Sequence, residues 1–443
     1  MKYLSRSVED QLNIWKDEED RLPLLIRGAR QVGKSSLVKQ FGRQFQYYLE
    51  LNLEMNPEMT KVFEGNLDPH RICTDLSLIY NTPIEPGKTL LFIDEIQTSL
   101  PALSSLRFFY EQYPELHVIA AGSLLEFALS ELPSFGVGRI RSLFLYPFSF
   151  NEFLHAMGEN KLLAAIQNAM SENPLSELVH KKALGLFKRF LIIGGMPKVV
   201  SYYVETGDLL ECQQVLDDLV LSFQDDFAKY KKRISSFVIR EVFDAVVAQN
   251  AYKFVFTKAA PGLNRGQVKL CLELLSMAGL IYPVTHSSAN GIPLGAQINA
   301  KFRKYIVFDT GIYQRILGLD LRAFLMDNEF ESINKGSIAE LFIGLELMKS
   351  SSKRNILYYW QRESKNSQAE VDYLVQMNAR ILPIEVKSGT KGSMQSLYLF
   401  LNEKKIEMGI RVSQENFSMY NNIKVFPLYA LSNIVAHPER WSY

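Results

Sequence analysis

A chain of 443 residues exceeds what one hydrophobic core organises, so two to four domains are expected. Its 47% hydrophobic and 22% charged content excludes a largely disordered polymer, and a formal net charge of +1 excludes a globally basic, histone-like coat. Cys73, Cys212 and Cys271 lack C-x-x-C spacing, no 18-residue apolar run exists, and the N-terminus leads into polar sequence, so buried thiols, no membrane partner and a cytoplasmic location are expected.

Leu4, Val8, Leu12 and Trp15 recur at helical spacing and predict an opening amphipathic helix. Leu24-Leu25-Ile26-Arg27 then reads as an apolar strand. The loop Gly28-Ala29-Arg30-Gln31-Val32-Gly33-Lys34-Ser35-Ser36 follows, and Leu37, Val38, Phe41 and Phe45 carry a helix out of it. The loop fits G-x-x-x-x-G-K-[ST], which cradles phosphates. Its glycines let consecutive N–H groups turn toward an anion, Lys34 supplies mobile positive charge, and the Ser35 hydroxyl can ligate Mg²⁺. ATP and Mg²⁺ are the expected cofactors.

Tyr47–Asn52 is a second strand candidate, and Thr89-Leu90-Leu91-Phe92-Ile93-Asp94-Glu95 a buried third. Asp94, sixty residues beyond Lys34, is placed to hold the Mg²⁺ shell, and Glu95 to polarise the attacking water. A helix over Pro101–Tyr113 and a strand over His117–Gly122 follow. Ser123 stands at that strand's carboxyl end, either reaching the γ-phosphate or simply capping a helix. A fifth strand is predicted at Ser142–Tyr146.

With the loop at 28–35, Asp94-Glu95 and Ser123 in place, the sequence resembles an AAA-type ATPase. That resemblance implies an arginine finger near the fifth strand, Arg139 or Arg141, and with it subunits in contact as a homo-oligomer. Surface ion pairing is the alternative for both arginines. Residues 151–200 read as a helical lid ending in Gly194-Gly195-Met196-Pro197. This segment resembles the lid signature of ATPases related to signal-transducing and replication-initiator proteins, in which Pro197 would sense the nucleotide. A helix end followed by proline gives the same pattern.

The basic run 229–233 is a linker or phosphate-touching segment, or a solvated helix end. Beyond it, the helix 268–278, Ile281–Val284, a polar stretch and Lys304–Asp309 give the helix, strand, hairpin, strand order of a winged helix, which meets either DNA or protein. The last third opens with a helix from Lys335 containing Glu340. Strands at Leu357–Trp360, Glu370–Val375 and Ile381–Gly389 follow. Alternation puts Glu385 and Lys387 on one face, and antiparallel pairing can bring Asp372 beside Glu385. Two carboxylates and a lysine at one spot suit metal-assisted phosphodiester hydrolysis. A sheet with cross-strand Glu–Lys pairs is the alternative.

Glu340, Asp372, Glu385 and Lys387 resemble the PD-(D/E)xK nuclease site, although the aspartate follows Val371 rather than proline. In that resemblance Glu340, Asp372 and Glu385 would bind metal. The whole order resembles a prokaryotic family of ATPases whose C-terminal part is a domain of unknown function, through Gly28–Gln31, Gly194-Gly195, Phe308–Gly311 and Ile384–Gly389. The expected fold is therefore α/β. It comprises a P-loop parallel-sheet ATPase with helical lid (1–228), a winged-helix domain (229–312) and a restriction-endonuclease-like α/β domain (313–443). The functional expectation is an ATP-hydrolysing, DNA-engaging protein with a metal-dependent nuclease-like domain. The alternative is a nucleotide-switched, partner-binding regulator whose nuclease-like domain is inactive. A kinase-like transferase on the same loop is disfavoured by the Asp94-Glu95 pair.

Overall fold

The apolar runs of the N-terminal part become the central strands of a parallel sheet. The structure is a computed structural model and describes residues 2–132, 138–230, 234–259, 262–318, 335–350, 356–363, 369–377, 379–390 and 392–436. Residues 231–233 of the basic run and 319–334 lie outside the described residues. Two compact units are formed, 1–146 with 277–279, and 147–276 with 280–443.

The first unit contains α1 (Glu9–Lys16), β1 (Leu24–Arg27), α2 (Lys34–Gly42), β2 (Tyr47–Asn52), α3 (Pro69–Tyr80), β3 (Thr89–Asp94), α4 (Leu100–Gln112), β4 (His117–Ala121), α5 (Leu125–Glu131) and β5 (Arg141–Phe144). The strands run parallel in the order β2-β3-β4-β1-β5. Helices on the sheet explain why β3 is apolar throughout: Leu90, Leu91, Phe92 and Ile93 are all buried. Leu91, Ile93 and Val118 pack with Ile72 and Leu76 of α3 and Leu103 and Leu106 of α4. Asp68 and Ser99 start those two helices by accepting from the His70 and Ala102 amides. The chain leaves β1 at its carboxyl end and returns to the sheet beyond β4, at β2, so the loop 28–33 sits where the strand order reverses.

The second unit opens with helices α6 (Phe150–Ala156), α7 (Asn160–Asn168), α8 (Glu177–Ile193), α9 (Pro197–Thr206), α10 (Leu209–Tyr230), α11 (Ser236–Ala248) and α12 (Arg265–Met277). The strands β6 (Ile281–Ser287) and β7 (Ile298–Val307) and the helix α13 (Thr310–Ile316) follow. The helix Lys335–Lys349 leads into β8 (Leu357–Gln361), β9 (Glu370–Met377) and β10 (Arg380–Val386). The helix Gln395–Lys404 then precedes β11 (Gly409–Ser413), β12 (Ser418–Tyr420) and β13 (Ile423–Pro427). These strands form one mixed sheet, β12-β13-β11-β10-β9-β8-β6-β7.

The hairpin expected as part of a separate middle domain is thus the edge of the C-terminal sheet, joined by parallel pairing of Val284 with Leu357 and His286 with Tyr359. The compact units divide after Tyr146. β6 is buried along nearly its whole length, with Thr285, His286 and Ser287 among its buried residues.

Within this unit Gly194-Gly195 meets the Phe308–Gly311 segment. Asp309, 1% exposed, accepts from the Gly195 amide at 2.7 Å and from the Ile312 amide at 3.0 Å, capping α13. A Cβ on Gly194 (φ +70°) would overlap the Asp309 carboxylate, and one on Gly195 would overlap the Phe148 carbonyl. Gly195→Ala forces that backbone apart, and Asp309→Ala strands two buried N–H donors. Each should lower unfolding free energy by roughly 1–3 kcal/mol. A lower urea midpoint at unchanged slope is the expected reading, and an unchanged midpoint would refute the interlock.

Candidate functional site

In the first unit the loop is shaped by close backbone approach. Gly28 has φ +147°, and a Cβ there would overlap the Leu145 carbonyl oxygen. The Leu145 amide donates to Arg27 O at 2.8 Å, which fixes that neighbour. Gln31 (φ +64°) and Gly33 (φ +94°) are left-handed, curling the backbone into α2. Arg6, which sequence reasoning passed over, is buried and donates to Val32 O at 3.2 Å and Tyr146 O at 2.7 Å, clamping the loop from outside.

Lys34 donates to Gly28 O at 3.0 Å and Ala29 O at 2.9 Å, lying over the loop. Burial pushes its ammonium down to about 8, partly opposed by Glu95 and Asp94. Ser35 Oγ donates to Asp94 Oδ2 at 2.7 Å, so the two side chains suited to a Mg²⁺ shell already touch. Burial raises the Asp94 carboxyl, which a cation would reverse. Asn52, at the end of β2, also donates to Asp94, at 3.3 Å.

Glu95 is left-handed (φ +50°) and held on one oxygen by two side-chain donors, Gln97 Nε2 at 2.6 Å and Ser123 Oγ at 3.3 Å, with the Ser123 amide at 3.5 Å. Ser123 does not cap α5, whose N-cap is Leu124 without a side-chain bond. The site therefore gathers Lys34, Ser35, Asp94, Glu95 and Ser123, and adds Asn52 and Gln97. The glutamine stood two residues past Glu95, but in sequence nothing aims it back. Gly122 makes room for it, since a Cβ there would overlap Gln97 Oε1.

Arg139 pairs with Glu111, and Arg141 with Glu18 at 2.7 Å. Arg141 opens β5 opposite Leu24, about 13 Å along β1 from the loop by strand rise. Pro197 is the first residue of α9 in the second unit.

The second unit gathers a carboxylate–lysine cluster. β9 and β10 are antiparallel, and one step beyond the Ile384–Tyr373 pair Glu385 faces Asp372. Asp372 accepts from the Val386 amide at 2.7 Å, and Lys387 donates to Glu385 at 2.6 Å although β10 ends at Val386. Glu340, from the helix, and Glu370 join them: one carboxylate oxygen from each of Glu340, Glu370 and Asp372 lies within 4.8 Å of the others. Burial raises the Glu340, Asp372 and Glu385 carboxyls.

Lys304 of β7, 1% exposed, enters the cluster from outside the expected motif, donating to Glu340 at 2.8 Å and pairing with Glu370. Burial alone would lower its ammonium, but Glu340, Glu370 and Asp372 outweigh burial and hold it protonated. Glu370 was legible by its same-face spacing with Asp372. Lys304 was not, because its partners lie in distant segments.

The first unit is an α/β P-loop ATPase-like domain. Residues 20–154 match the family described as AAA domain. Residues 184–323 and 335–431 match two families described as domains of unknown function, DUF8612 and DUF4143. Among solved structures, the chain is similar to a Walker-type ATPase of Pyrococcus abyssi. That match has 14% identity and a TM-score of 0.45, and covers 71% of this chain and 96% of that one. It is also similar to the Aeropyrum pernix ORC1 protein in complex with DNA, at 11% identity and a TM-score of 0.31, over 73% and 95% of the two chains. No curated protein matches. Among the described residues no helix is long and apolar enough to cross a membrane.

As a phosphate ligand Lys34 would have to be charged. With its ammonium near 8 in the free protein, ATP affinity should be flat well below that pH. Above it, affinity should weaken by roughly tenfold per unit as binding has to take up a proton. Fluorescent-ATP titrations between pH 6 and 10 check this, and Lys34→Arg should flatten the curve.

Proposed function

We propose that the chain binds and hydrolyses Mg-ATP at the loop 28–36 and couples that cycle to engagement of DNA by its C-terminal part. In this reading residues 28–36 hold the phosphates through backbone N–H groups and the Lys34 ammonium. Ser35 and Asp94 would hold Mg²⁺, which supplies charge neutralisation at the phosphates. Glu95 takes the proton of the attacking water, positioned by Gln97 and Ser123. The observation that carries the reading is the contact of Ser35 with Asp94 beside a Glu95 held by two side-chain donors. Arg139 or Arg141 as a finger to a second subunit, and Pro197 as a nucleotide sensor, complete the proposal.

Lys34→Ala and Glu95→Gln should each reduce ATP hydrolysis on the order of 10²–10⁴-fold. Glu95→Gln should keep ATP binding while Lys34→Ala weakens it. Phosphate-release and binding assays separate the two effects, and retained turnover in Lys34→Ala would refute the site.

For the second unit we propose a winged helix built on α11, α12 and the β6–β7 hairpin, followed by a nuclease-like centre. Support for DNA comes from exposed cations interleaved with aromatic rings, Lys253 over Phe302 at 4.1 Å and Arg265 over Phe256 at 4.9 Å. Support for the centre comes from the juxtaposition of Glu340, Asp372, Glu385 and Lys387. Asp372 and Glu385 would hold Mg²⁺, with Lys387 orienting water or stabilising developing charge. Plasmid cleavage with Mg²⁺ or Mn²⁺ that disappears in Asp372→Ala is the expected result.

The buried Lys304 favours a second reading, a nucleotide-switched regulator whose nuclease-like centre is silent. Absence of cleavage, with ATP-dependent partner binding that survives Glu385→Ala and Lys387→Ala, would select it.

A further inference from the structure

The carboxylate cluster has two ends that differ in how their oxygens are used. At one end Glu340 and Glu370 are both engaged by the Lys304 ammonium, which is 1% exposed and cannot exchange with a solvent cation without leaving its pocket. Its position is fixed further by the Tyr359 ring, 4.9 Å away, and by its place in the middle of the β7 backbone ladder. At the other end Asp372 accepts from the Val386 amide and Glu385 from Lys387, yet Glu385 Oε2 has no hydrogen-bond partner although the residue is 4% exposed. A buried carboxylate oxygen without a partner is costly, and it is the acceptor a cation would satisfy. One end thus contains its own cation, and the other has an unused ligand atom. Asp372 lies between them, within 4.8 Å of Glu340 and Glu370 and facing Glu385 across the strands.

We infer that Lys304 is a resident counter-ion that closes the Glu340–Glu370 end to divalent metal, so that the cluster takes one ion, at the Asp372–Glu385 end. This rests on the nuclease-like reading for the Asp372–Glu385 ion, but concerns a residue outside that motif. The ammonium satisfies the carboxylates with one charge and a short tether. A divalent ion at the same place would meet Lys304 at contact distance, where like charges repel strongly in a buried setting. Replacing Lys304 by an uncharged residue of similar length therefore turns three clustered carboxylates into an open chelating corner.

The test is Mn²⁺ titration by calorimetry on the nucleotide-free full chain, counting as cluster-bound only the equivalents lost in Asp372→Ala. One equivalent is expected for the wild type. Lys304→Met should take a second equivalent, and Mn²⁺ should raise its melting temperature more than that of the wild type. Should Lys304→Met fail to fold by circular dichroism, Lys304→Met/Glu370→Gln keeps the local charge balance and should still gain the second equivalent. Equal stoichiometry and affinity in wild type and variant would overturn the inference while leaving the Asp372–Glu385 ion in place. A wild type that binds no Mn²⁺ beside a variant that does would sustain the counter-ion and refute the native metal centre. No binding in either protein would overturn both.

Discussion

The structure depends on main chain meeting main chain with no side chain between. In the first unit the Gly28 backbone lies against the Leu145 carbonyl, and this packing holds the loop at the end of β1 while its N–H groups turn inward. In the second unit Gly195 lies against the Phe148 carbonyl. At each place a methyl group would displace backbone rather than a flexible side chain, so strain could not be relieved locally. The glycines fix geometry to which charged groups are then fitted: Lys34 onto the loop carbonyls, Asp309 onto the Gly195 amide.

Those fitted charges are buried, and burial alone would neutralise them. Two solutions appear. Lys34 is held by carbonyl oxygens and two nearby acids, which leaves its ammonium shifted down to about 8 and ready to be stabilised by phosphate. Asp309 is held by backbone N–H groups, with the Lys349 charge nearby also favouring its carboxylate. The difference follows role. In the proposed ATP site the group that would receive an incoming anion is left under-compensated, whereas the group that ties two segments together is met by backbone donors. Gly194-Gly195 and Phe308–Gly311, read in sequence as separate signatures, are two halves of this second arrangement.

How much was legible in the sequence follows the range of the interactions. Lys34, Ser35, Asp94 and Glu95 were readable because local spacing and strand ends place them, and the strands Tyr47–Asn52 and Thr89–Asp94 appear at the predicted positions. Asp372 opposite Glu385 followed from period-two alternation and a short turn. Arg6, Gln97 and Lys304 were not readable. Arg6 reaches 140 residues to Tyr146, and Lys304 reaches 36 to Glu340 and 66 to Glu370. The pairing of β6 with β8 was not readable for a related reason: the β6–β7 hairpin looks complete by its own pattern, and its partner strand lies far along the chain.

The carboxylate cluster has a consequence beyond geometry. Burial and mutual repulsion raise Glu340, Asp372 and Glu385 together, so in the absence of a divalent cation these groups are disposed to hold protons. Any ion that enters at Asp372 and Glu385 must displace protons, which makes metal uptake stronger as pH rises. Lys304 opposes the upward shift of Glu340 and pairs with Glu340 and Glu370 through its own ammonium. A sheet edge that seemed to belong to a separate domain thereby contributes a residue to the electrostatics of the neighbouring strands. The continuous eight-stranded sheet is the element that permits it, because β7, carried on β6 beside β8, delivers Lys304 to that end of the cluster.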